Sequence, residues 1–85
     1  MVYYFITSRS LTAAQRTAGI LRRRGIRTEL IRVPREFANG GCTSAVKVDE
    51  RDIEAALIAL REAGNDGVRV YIRYADGSGR EIELS

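Results

Sequence analysis

Val33-Pro34-Arg35-Glu36-Phe37-Ala38-Asn39-Gly40-Gly41-Cys42-Thr43-Ser44-Ala45 divides the chain into two similar halves. It holds the only proline, the only adjacent glycine pair and the only cysteine. Pro34 lacks a backbone donor and stops the extended segment before it. Gly40 and Gly41 let the backbone turn or approach a neighbour closely. What lies on either side sets the fold.

Upstream, residues 2–7 alternate aromatic and β-branched side chains and read as a strand. Val2, Tyr4 and Ile6 share one face, Tyr3 and Phe5 the other. Both faces are apolar, as in a central strand. Ser8 or Ser10 is placed to cap a helix, expected over residues 11–24. Leu11, Ala14, Ala18 and Leu21 make its core stripe. Arg22, Arg23 and Arg24 complement the negative end of the helix dipole. Gly25 is the natural terminator. Residues 26–33 read as a second strand, and the charged Arg27, Glu29 and Arg32 suit a sheet edge.

Downstream, residues 44–48 make a short third strand. Asp49 is the expected cap of a second helix over residues 50–63, with Ile53, Ala56, Leu57 and Leu60 inward. Gly64 ends it, and Asn65-Asp66-Gly67 is a turn. Residues 68–74 alternate again, with Val68, Val70, Ile72 and Tyr74 on one face. Asp76-Gly77-Ser78-Gly79 signals a hairpin back through residues 80–84, with Ile82 and Leu84 inward. The order is strand, helix, strand, strand, helix, strand, with one strand added.

That order implies a single α+β domain over residues 1–85, a ferredoxin-like βαββαβ sandwich. Two helices cover one face of an antiparallel sheet, and the terminal hairpin adds a fifth strand beside the fourth. An 85-residue chain buries about 60–65% of its unfolded surface, enough for one core. In this topology the first helix begins at the end of the sheet that carries the loop between the second and third strands. Cys42 is therefore expected near Thr7, Ser8, Arg9 and Ser10. The turn at 64–67 is expected to close the same end.

Composition narrows the chemistry. The chain has no histidine, which removes a Cys-His nucleophile pair and the usual zinc ligand. No metal and no cofactor are expected. One cysteine cannot form an internal disulfide and is a free thiol in a reducing compartment. No apolar run reaches the roughly 18 residues of a membrane span, and residues 1–6 read as strand rather than as a leader. A cytoplasmic protein without membrane contact is expected. Net charge is +3, and of the 14 basic residues only Lys47 is a lysine.

A thiol held against a helix N-terminus meets unpaired amides and about half a positive charge, which favour the thiolate. Arg9 and Arg35 add to that field. Cys42 is thus the candidate nucleophile, with Ser8, Arg9, Ser10, Pro34, Arg35, Gly40, Gly41 and Thr43 as its support. The plainer alternative is a small packed residue at the start of a strand. A basic patch for nucleic acid or an acidic partner is a separate reading of Arg22, Arg23, Arg24 and Arg27, against an ordinary solvated helix end. RNA stacking on Tyr3, Phe5 and Tyr71 is not expected, since Tyr3 and Phe5 read as core and the aromatic-glycine signature is missing.

As far as about Tyr74 the chain resembles the small selenium/sulfur carrier protein-like family. The resemblance runs through the aromatic first strand ending in Thr7-Ser8 and the helix ending at Gly25. It continues through Val33-Pro34-Arg35, Asn39-Gly40-Gly41-Cys42 and Ala45-Val46-Lys47-Val48. Thr43 stands where the family usually has glycine, and the hairpin over 75–85 is an addition. The resemblance implies that Cys42 carries sulfur or selenium, with Pro34 and Arg35 as matching loop residues. It implies sulfur- or selenium-donating and accepting proteins as partners, and a carrier rather than a turnover enzyme. The alternative is a non-catalytic module binding a protein or ligand. A homodimer through the second strand or the hairpin stays open.

Overall fold

A computed structural model describes residues 2–33, 44–65 and 68–82. The expected elements are present: β1 (Tyr3–Ser8), α1 (Leu11–Arg23), β2 (Glu29–Arg32), β3 (Ser44–Asp49), α2 (Ile53–Glu62), β4 (Arg69–Arg73) and β5 (Gly79–Ile82). The strands form one antiparallel sheet in the order β2-β3-β1-β4-β5. β1 is the central strand and β2 an edge, as their side chains imply.

Alternation sorts the sheet into two faces. Tyr4, Ile6, Val46, Val48, Leu30, Val70 and Ile82 point to one side. There they meet Ala14, Ala18 and Leu21 of α1 and Ala56, Ala59 and Leu60 of α2 in one cluster. Both helices thus cover the same face. The opposite face carries a smaller cluster of Phe5, Val33, Ala45 and Tyr71, to which neither helix contributes.

Both helices end by the same device. Gly25 and Gly64 take positive φ, +78° and +74°. The Ile26 amide reaches back to the Leu21 carbonyl and the Gly25 amide to Arg22. In the second half the Asn65 amide reaches Leu60 and the Gly64 amide reaches Arg61. The pattern satisfies carbonyls the helix leaves open. The residue after each glycine differs. Ile26 packs into the core, whereas Asn65 donates from Nδ2 to Thr17 Oγ1 at 3.0 Å. Thr17 is only 1% exposed, so its hydroxyl needs that partner.

Four expectations need correction. α2 begins at Ile53, not at 50, because Asp49 is still paired in β3 and Asp52 is the N-cap. The Asp49 carboxylate instead accepts from the Arg51 amide at 3.1 Å, closing a turn between strand and helix. β2 is four residues rather than eight, since residues 26–28 descend from the helix before pairing begins. Leu11 is 56% exposed and lies outside the core: it is the first helical residue, beyond the reach of the sheet's apolar rows. Tyr74 is also exposed; it follows β4, and its hydroxyl accepts from Arg80 Nε at 3.2 Å.

Candidate functional site

The end of the sheet where β1 hands over to α1 is built by register. Thr7 stands opposite Ala45 and Ser8 opposite Ser44. Ser44 in turn stands opposite Arg32. Arg32, Ser44 and Ser8 therefore form one row across three strands, on the face that bears α1. β2 leaves the sheet after Arg32 and β3 enters it at Ser44. The β2–β3 connection thus departs from and returns to the strand end that launches α1, as the topology argument expected.

Each flank of the row is held. On β4, Arg69 pairs with Thr7, whose hydroxyl donates to the Arg69 carbonyl at 3.2 Å. Thr7 and Ser8 are both buried. Ser8 belongs to β1 and is not the cap. Ser10 is: its extended backbone (φ −140°) turns the chain, and its Oγ accepts from the Ala13 amide at 3.1 Å. The Ser10 carbonyl takes the Ala14 amide at 3.1 Å. The first turn of α1 contains no acidic residue, so its positive end is not neutralised from within the helix. Arg9 is exposed beside it.

Of the expected site residues, Ser8, Arg9 and Ser10 are thus gathered at this end. Pro34, Arg35, Gly40, Gly41, Cys42 and Thr43 lie outside the described residues, as do Asp66 and Gly67 of the expected turn. Asn65, which belongs to that expected turn, meets Thr17 in the middle of α1 rather than its start. The cation in the cross-strand row is Arg32, which in the sequence marks only an edge strand. Counting back in twos from Ser44 against β2 would have found it, had the register been known.

Among the described residues, Phe5 and Tyr71 on the helix-free face form no open aromatic platform. Phe5 stands opposite Tyr71, and each is 4% exposed. Lys47 Nζ sits 4.0 Å from the centre of the Tyr3 ring. Among the described residues no group of three or more acidic, histidine or cysteine side chains is placed to hold a metal ion. No described helix is long and apolar enough to cross a membrane.

These features define a small α+β protein with two helices on one face of a five-stranded antiparallel sheet. The chain belongs to the family described as Putative Se/S carrier protein-like, whose family model matches residues 3–72. The match spans β1 through nearly all of β4 and leaves the β5 hairpin outside it. Neither the curated proteins nor the solved structures offer a match to the chain.

Proposed function

We propose that this protein carries sulfur or selenium on Cys42 and passes it between partner proteins. The observation that carries the reading is the Ser8–Ser44 pairing. Two peptide units separate Cys42 from Ser44, a span of at most about 7 Å. Ser44 is one strand away from the residues that lead into α1, and the first turn of that helix is free of acid. Membership of the carrier-like family points the same way.

The chemistry needs only a thiolate and a place for negative charge. The Cys42 thiolate attacks the terminal chalcogen of a donor persulfide or perselenide. A sulfur–sulfur or sulfur–selenium bond forms on Cys42, and the donor leaves as its own thiolate. An acceptor thiolate then attacks the same terminal atom and frees Cys42. No net oxidation occurs, and no resolving cysteine is required. The start of α1, with Arg9, Arg32 and Arg35, stabilises the anion at each stage. Ser8 and Ser10 hold the strand-to-helix turn, while Pro34, Gly40, Gly41 and Thr43 shape the loop. The setting is a reducing, cytoplasmic one. The fold is read as the ferredoxin-like sandwich, supported by the βαββαβ order and two helices on one face.

The test is transfer of label. Full-length protein mixed with a radiolabelled persulfide donor is expected to take up label that dithiothreitol releases. Cys42→Ser should take up none while keeping the wild-type circular dichroism. Equal labelling of the serine variant would end the proposal.

A further inference from the structure

The first acidic residue of the chain is Glu29. Residues 1–28 carry six arginines, Arg9, Arg16, Arg22, Arg23, Arg24 and Arg27, and no carboxylate side chain. Residues 29–85 carry eight basic and eleven acidic residues. A gene that favours arginine codons would exchange arginine for lysine; it would not empty one third of the chain of acids.

All six arginines are exposed. Ala14, Ala18 and Leu21 face the sheet, so Arg16 and Arg23, seven residues apart, fall on the outward side of α1 at 100° per residue. Arg24 is paired with Glu62 at 2.7 Å, and Arg22 Nε donates to Thr28 at 2.9 Å. Arg16, Arg23 and Arg27 have no carboxylate partner among the described residues. Helix capping does not account for the set. The dipole favours cations in the last turn, yet Arg9 precedes the cap and Arg16 lies in the first half.

We propose that the outward face of α1 is a docking surface for an acidic patch on a partner protein. The arginine fork matches carboxylates in two-point contact. A single-stranded nucleic acid would want stacking aromatics as well, and Phe5 and Tyr71 are closed to solvent on the other side of the sheet. The surface does not depend on the chemistry assigned to Cys42.

The test uses the full-length chain labelled with nitrogen-15, titrated with poly-L-glutamate and separately with poly(U). Poly-L-glutamate is expected to shift amides on α1 and its flanks, with affinity falling as salt rises from about 50 to about 300 mM. R16E/R23E should weaken binding by about tenfold or more. R69E/R80E makes the same change in net charge on β4 and β5, away from α1, and should retain most of the affinity. If R16E/R23E fails to fold, R16Q/R23Q carries the test with the same expected direction. Shifts scattered over the whole chain, equal weakening by R69E/R80E, or tighter binding of poly(U) on α1 would each overturn the proposal.

Discussion

Ser8 and Ser44 are cross-strand partners at the last rung of the β1–β3 ladder. Antiparallel partners lie about 4.5–5.5 Å apart at Cα. The rung ties the exit of β1, and hence the start of α1, to a position two residues beyond the only cysteine. It turns a topological expectation into a spatial one. The opposite end of the same ladder pairs Tyr3 with Asp49, five rungs away.

The single cysteine allows that relationship to be measured without mutation. A nitroxide attached to Cys42 should broaden amide signals in a gradient along β1, strongest at Ser8 and weakest at Tyr3. Strands advance about 3.4 Å per residue, so the ends differ by about 17 Å. Signals at Val33 and Ser44 should fade, and those at Arg51 and Ile53 should survive. Stronger broadening at Tyr3 and Asp49 than at Ser8 would contradict the placement.

The two helix starts should respond differently to loss of their caps. Ser10 Oγ accepts an amide hydrogen bond, whereas the Asp52 side chain makes no capping bond. Ser10→Ala is expected to cost about 1 kcal/mol in urea unfolding. Asp52→Ala is expected to cost only a few tenths, mostly from the charge at the helix start. Equal losses would mean that the Ser10 bond does not form in solution.

Gly25 and Gly64 should be costly to replace for torsional reasons alone. A Cβ at either would meet nothing within 4 Å, so no clash contributes. The left-handed backbone still costs a residue with a side chain about 1–2 kcal/mol. Gly25→Ala and Gly64→Ala should each show that loss. Asparagine, which tolerates the conformation better, should recover part of it.

The hairpin should carry a small acid-sensitive term. Hydrogen bonds from the Ser78 hydroxyl (2.6 Å) and the Ser78 amide (2.9 Å) hold the Asp76 carboxyl below its ordinary value of 3.8. Its folded pKa is depressed, so its contribution is fully present above the unfolded value and is lost as pH falls through the folded one. Carboxyl carbon shifts should therefore show Asp76 titrating below the free amino acid. Asp76→Asn should flatten the acid limb of hairpin stability by removing at neutral pH the contribution that the wild type loses only in acid, leaving stability in acid nearly unchanged.

Much of the fold was legible because periodicity and punctuation agreed. Gly25 and Gly64 marked the helix ends, and alternation in β1 identified a central strand with two apolar faces. The errors have physical causes. Asp49 looks like a cap in sequence, but a strand that continues one residue further claims it, leaving the role to Asp52. Leu11 has the right helical phase for the core and the wrong height, since phase says nothing about where the sheet ends. The site was half legible: topology put Ser8 and Ser10 at the loop end, but only the register revealed the Arg32–Ser44–Ser8 row. The bond between Asn65 and Thr17 joins residues 48 apart and left no local signal.

The claim that matters most is that Cys42 is held as a reactive anion. The direct measurement is the rate of its alkylation by iodoacetamide as a function of pH, which reports the thiol pKa in the native chain. The account predicts a midpoint clearly below the ordinary value of about 8.5. A midpoint at or above that value would contradict it.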